Sequence, residues 1–116
     1  MKAVKSAAID ANGAILFTGS EDDTIRIWNL YALSEHTLPT IQAGLGGVKV
    51  IASSPTEKLV AGGGVYGKVK IWNWQTNQEI ASFSNDLEVT ALAFSPNGQM
   101  LAAGDREGSI VIYTLK

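Results

Sequence analysis

Three stretches of the sequence carry residue types that could do chemistry. Gly62-Gly63-Gly64-Val65-Tyr66-Gly67 satisfies G-x-G-x-x-G, and with Lys68 it comes one hydroxyl short of a phosphate-binding loop. Such loops aim backbone N–H groups and a helix N-terminus at phosphate, so they require a strand, a loop and then a helix. The next residues are KVKIW (68–72), a β-branched alternating run that predicts a strand, and Val69 stands where a Mg²⁺-ligating hydroxyl belongs. The pattern predicts a glycine-rich strand with its turn. Glu21-Asp22-Asp23 offers three carboxylates, but a hard cation wants six or more oxygens in a cage, and three consecutive turn residues cannot all converge. Glu21 and Asp23 are expected to face water. His36 is the only histidine and there is no cysteine. That leaves neither a zinc ligand set nor a Ser/His or Cys/His nucleophile pair, and His36 is expected to be a solvated loop residue. No catalytic residue, metal site or cofactor is expected.

The elements around these residues repeat. Val89 to Tyr113 contains three short apolar runs, VTALAFS, QMLAAGD and SIVIY, with turn formers at Pro96-Asn97-Gly98 and Arg106-Glu107-Gly108. Runs of five to seven residues bounded this way read as a three-stranded antiparallel meander. VKVIASS (48–54), KLVAGGG (58–64) and KVKIW (68–72) repeat it, as do VKSAAID (4–10), AILFTGS (14–20) and TIRIW (24–28). The first strands begin at Val4, Val48 and Val89, spacings of 44 and 41, and Trp28, Trp72 and Tyr113 keep the same spacings. A period in the low forties built of short strands is a repeat architecture.

At these residues the chain resembles the Trp-Asp (WD) repeat family of β-propellers. Each copy fits that family's order of inner strand a, strand b, strand c ending in Ile-Trp, and an outer strand d. Where the family has Trp-Asp, this chain has Trp28-Asn29, Trp72-Asn73 and Tyr113-Thr114. The Gly-His that usually precedes strand a is replaced by Gly44-Leu45-Gly46-Gly47 and Asn85-Asp86-Leu87-Glu88. Of the buried polar network that the resemblance implies, the first copy supplies Thr18, Asp22 and Trp28, with Asp22 bonding within its own blade. The second has Gly62 and Tyr66 at the Ser/Thr and Asp positions, and the third has Ala103 and Glu107. Trp74 takes the place of Leu30 and Leu115 and is expected in the core. Pro39 lacks a ladder donor and belongs on an edge strand, where strand d lies.

At 116 residues the chain fits one domain on size alone. A propeller blade, however, buries both faces against its neighbours, and rings have at least four blades. The resemblance supplies three, at 4–44, 48–84 and 89–116, the last without strand d. The expected architecture is therefore all-β, eleven strands in an open arc, completed into a ring by the same chain, other copies or another subunit. Two uncovered flanks of four strands, about 4.8 Å apart and roughly 20 Å long, leave on the order of 800 Å² unburied. A lone arc is expected to associate or to be marginal in stability.

The net charge of −2 and a pI near 5.2, with nine scattered basic residues, argue against general nucleic-acid binding. No run approaches the 18 apolar residues of a membrane span, and Asp10, Asn12 and Gly13 interrupt any signal-peptide core. These features predict a soluble cytoplasmic protein whose partners are other proteins, with no nucleic acid and no membrane. The resemblance places protein contacts on the rim formed by the d–a and b–c loops, which carry Glu21, Asp23, Leu45, Val65, Tyr66, Asp86, Leu87, Glu88, Arg106 and Glu107. Tyr66 either anchors a partner or fills the gap left by the missing Ser/Thr and Asp. The implied function is a non-catalytic interaction scaffold. Two alternatives stand beside it: a regulatory or targeting segment of a larger enzyme such as a kinase or NTPase, and a self-assembling ring that binds small ligands between blades.

Overall fold

The computed structural model describes residues 2–31, 37–85 and 87–115, and for Thr37 and Leu38 the backbone alone. The described residues form strands β1 (Val4–Ile9), β2 (Ile15–Ser20), β3 (Thr24–Asn29), β4 (Thr37–Gln42), β5 (Val48–Ser53), β6 (Leu59–Gly64), β7 (Lys68–Asn73), β8 (Gln78–Ser84), β9 (Val89–Phe94), β10 (Met100–Asp105) and β11 (Ile110–Thr114), and no helix. Neighbours in sequence pair antiparallel, giving the sheets β1-β2-β3-β4, β5-β6-β7-β8 and β9-β10-β11. The fold is the expected all-β propeller segment, one sheet per repeat, and the sheets do not close into a ring. His36 lies outside the described residues.

Short polar side chains close the hairpins. The Asp10 carboxylate accepts the N–H groups of Ala14 and Ile15 at 2.9 and 3.0 Å, and Asn97 Oδ1 accepts that of Gln99 at 3.0 Å. Asn73, in the place of the family aspartate, accepts from Gln75 and Thr76 at 2.9 and 3.1 Å. A neutral Asx oxygen is enough to hold this turn. Pro39 sits on the outer strand β4, where the pairing with β3 shifts register between Ile25 and Ile27, so its missing N–H leaves no gap in a regular ladder.

Side chains alternate between the two faces of a strand, and both faces of the middle sheet are covered. Val48, Ile51, Val60 and Trp72 pack against Ile15, Phe17, Ile25 and Ile27 of the first sheet. Ala61, Val69 and Ile71 pack on the opposite side against Val89, Leu101 and Ala103 of the third. Trp74 belongs to the first of these cores, edge-on to Phe17 with ring centroids 5.6 Å apart.

The sheets come closest where β1, β5 and β9 lie side by side. A Cβ placed on Gly19 would lie 2.5 Å from Val48 Cγ1, and one on Gly63 would lie 2.7 Å from Val89 Cγ1. Glycine at one position of strand b thus leaves a notch, and the first valine of the next sheet fills it. Side-chain bonds support the first of these joints, with Ile51 N–H donating to Ser6 Oγ at 3.1 Å and Ser53 Oγ donating to the Ile9 carbonyl at 3.0 Å. Because both valines are fully buried and stiff at χ1, the notch cannot be widened cheaply. Gly19→Ala and Gly63→Ala are each expected to cost about 1–3 kcal/mol by overpacking, measured as a lowered urea midpoint with unchanged m-value. A midpoint at or above the wild-type value for either would contradict the tight fit.

Candidate functional site

The rim of the arc is built from the b–c turns and the linkers between sheets. The third turn residue has a left-handed backbone in every copy: Asp23 at φ 69°, Gly67 at φ 80° and Gly108 at φ 90°. Glycine adopts this conformation without cost, whereas aspartate there needs a reason. The reason is the linker. Asp23 Oδ1 accepts the N–H groups of Leu45 and Gly47 at 2.9 and 3.1 Å, and Oδ2 accepts that of Gly44 at 3.0 Å. Positive φ at Gly44, Gly46 and Gly47 curls the linker into this nest of donors. The expectation that Asp23 faces water is therefore corrected: its oxygens are committed to the joint between the first and second sheets. Leu45, expected on the rim surface, is only 1% exposed and belongs to the first core. Its N–H is held by Asp23 while its side chain turns inward.

The second linker has the opposite polarity. A Cβ on Gly67 would run into the carbonyl oxygens of Asn85 and Leu87, so no carboxylate could be held there. Asn85 instead accepts the hydroxyl of Tyr113, whose ring stacks on Phe83 at 4.0 Å and 16°. Burial pushes the Tyr113 hydroxyl above its ordinary value of 10.0.

The polar residues of the first copy form two separate groups. Trp28 Nε1 donates to Thr18 Oγ1 at 3.2 Å. Asp22 accepts from the Thr24 hydroxyl and from Thr24 N–H at 3.1 Å, and faces Arg26 at 3.7 Å. The Thr24 hydroxyl bond, with Ser20, the Thr24 N–H and Arg26 adding to it, holds the Asp22 carboxyl below its ordinary 3.8. In the second copy the corresponding space is filled by apolar atoms. The Trp72 ring, Ile25 and Leu45 close over Gly62 at 3.2–3.3 Å from where a Cβ would stand.

That packing decides between the two readings of Tyr66. The gap is filled without it, and Tyr66 is 74% exposed, its ring laid across the backbone of Gly46 where no other side chain would fit. Beside it, Glu21, Gly46, Gly47, Val65, Lys2 and Lys49 line a hollow of about 250 Å³. Glu21 also pairs with Lys5 at 3.9 Å. Farther along the rim, Arg106 N–H donates to the Glu88 carbonyl at 3.2 Å, which brings the third turn against its linker. Arg106 and Glu107 are exposed, Leu87 and Glu88 half-buried, and Asp86 lies outside the described residues. Lys2 and Lys49 were not among the sequence candidates; the glycine run at 44–47, directly before a strand, is the signal that brings Lys49 to the rim.

The other chemical readings resolve simply. Gly62 to Gly64 end β6, and Lys68 begins β7 after a tight turn, so no helix N-terminus faces the glycines. The three carboxylates at 21–23 point to Lys5, Thr24 and the linker respectively. Among the described residues no group of His, Cys, Asp and Glu is arranged to hold a metal ion, and no helix is long and apolar enough to cross a membrane.

Comparison with known proteins places this geometry. The family model for the anaphase-promoting complex subunit 4 WD40 domain matches residues 51–116, and that for the WD domain, G-beta repeat, matches residues 2–29. A bromodomain and WD repeat-containing protein of Dictyostelium discoideum is 27% identical over 115 residues, covering 91% of this chain and 5% of that protein. Eukaryotic translation initiation factor 3 subunit I of Scheffersomyces stipitis is 30% identical over 108 residues, covering 89% of this chain and 30% of its own length. Transducin beta-like protein 3 of Rattus norvegicus is 25% identical over 116 residues, at 97% and 14%. The chain thus spans less than a third of each of these relatives.

Two measurements test the rim's internal bonds. Asp23→Gly keeps the left-handed turn accessible but removes the acceptor of three N–H groups, and is expected to lower stability by about 1–3 kcal/mol in urea unfolding; an unchanged midpoint would show the nest to be dispensable. Asp22 binds a proton less readily in the fold than in the unfolded chain, so its contribution is present above its ordinary 3.8 and is lost as pH falls through its lower folded value. The stability difference between wild type and Asp22→Asn is expected to be level from about pH 7 to about pH 5 and to shrink on further acidification. A difference that grows with acid would reverse this assignment.

Proposed function

The chain belongs to the WD-repeat family, and from that membership we propose that it acts as a non-catalytic scaffold for protein–protein contacts. On this reading residues 4–44, 48–84 and 89–116 are consecutive blades of a propeller, and further blades complete the ring. The blades hold the b–c turns and linkers rigidly, and partner choice rests with the side chains those turns display. One observation carries the reading. Tyr66, at the tip of the second b–c turn, presents most of a rigid aromatic ring to solvent while its position is fixed by contact with Gly46. Tyrosine anchors of this kind offer large contact area at small entropy cost and are enriched among residues that dominate binding energy. Val65, Glu21, Lys2 and Lys49 around the neighbouring hollow supply an apolar contact and charges of both signs, suited to a polar rim around a central anchor.

The test separates display from packing. Tyr66→Ala is expected to leave the unfolding midpoint within about 0.5 kcal/mol of wild type, as for an exposed substitution. The same change is expected to weaken a bound partner protein roughly tenfold or more in a direct titration. Unchanged affinity, or a loss of stability on the scale of a core truncation, would overturn the role given to Tyr66.

A further inference from the structure

The two flanks of the arc are the two halves of a joint that the chain already makes twice. In both internal joints a valine beginning one sheet fills a glycine notch in the sheet before it, Val48 on Gly19 and Val89 on Gly63. Val4 holds the corresponding place in the first sheet and is 62% exposed, whereas Val48 and Val89 are fully buried. Gly104 holds the notch position in the third sheet. A Cβ there would meet nothing closer than Ala91 Cβ at 3.6 Å, so the notch is open. Around it, Ile110 and Ile112 are 72% and 55% exposed, while their equivalents Ile25 and Ile27 in the first sheet, and Val69 and Ile71 in the second, are at most 1% exposed.

From this match, and resting on the propeller reading above, we infer that the flank of the third blade takes the first blade of a second copy of this chain, Val4 seating in the Gly104 notch. Area sets the form of the assembly. Flanks of three or four strands, about 4.8 Å apart and roughly 20 Å long, bury on the order of 700–800 Å² per joint. One joint falls short of the roughly 1,200–2,000 Å² of a stable interface, whereas two joints reach it. Two copies head-to-tail make both joints at once and close six blades, within the usual range of about four to eight; three copies would give nine. The cation on the flank is no obstacle. Arg26 is already paired with Asp22 in its own sheet, and its equivalent Lys70, at the first internal joint, has a side chain 16% exposed and pairs with Glu79 of its own sheet at 3.3 Å.

Light scattering on the eluting 116-residue chain at tens of micromolar tests the pairing. The expected mass is twice the 12.3 kDa of one chain. Gly104→Leu, which the isolated sheet has room for, and Val4→Lys on the opposite flank are each expected to return the single-chain mass with the β-sheet circular dichroism retained. A wild-type single-chain mass would show that something else, such as further blades of a longer chain, covers the flank, and would overturn the pairing. So would a doubled mass that neither variant changes, or an open-ended series of larger masses. Tyr66→Ala, on the rim, is expected to leave the mass unchanged. Partner binding lost in that variant alongside a single-chain wild type would sink the pairing and leave the scaffold reading intact.

Discussion

How closely one sheet can approach the next governs this structure. Stacked sheets sit about 10 Å apart when side chains from both fill the space, but the inner strands β1, β5 and β9 run side by side at the narrow edge of the arc. Room for a β-branched residue there exists only where the facing strand gives up its side chain, as Gly19 and Gly63 do beneath Val48 and Val89. Away from that edge the spacing opens, and Phe17, Trp72 and Trp74 fill the first joint while Phe83, Leu92 and Tyr113 serve the second. The taper from glycine to tryptophan across each sheet makes a wedge, and wedges of one hand stack into an arc.

The two joints are fastened by different chemistry. At the first, the linker presents N–H groups and is tied to the preceding turn by the Asp23 carboxylate. At the second, the linker presents carbonyl oxygens to Gly67 and is tied by the Tyr113 hydroxyl through Asn85. The substitution of the family's buried polar set by Gly62 and Trp72 obeys the same economy of space: with no Cβ at position 62, the indole slides over the backbone and needs no serine or threonine beneath it. Polar bonds specify register at the rim, and apolar burial between sheets supplies most of the stabilisation.

Strand order, sheet membership and the burial of Trp74 were legible in the sequence because they depend on local pattern and period. β-branched runs, Asn-Gly and Pro-Thr turns and the spacings of 44 and 41 fix them without reference to tertiary contacts. The Glu21-Asp22-Asp23 stretch shows where that reading stops. All three residues look alike as turn acids, yet which carboxylate is consumed depends on a linker about twenty residues away and on the positive φ of its glycines. Leu45 was misplaced for the same reason: a leucine in a glycine-rich loop carries no periodicity to reveal that it faces the core. The glycines of β6 were legible as strand, but their purpose as notches appears only once the neighbouring valines are in place.

The claim underlying the whole account is that Val48 and Gly19 fit as knob and notch. A double-mutant cycle in urea unfolding measures that fit directly. If the two residues compete for one space, Val48→Ala relieves the strain of Gly19→Ala, and the double variant is more stable than the sum of the single losses predicts by at least about 0.5 kcal/mol. Strict additivity would mean that the two side-chain positions do not share space, and the wedge picture of this arc would fail with it.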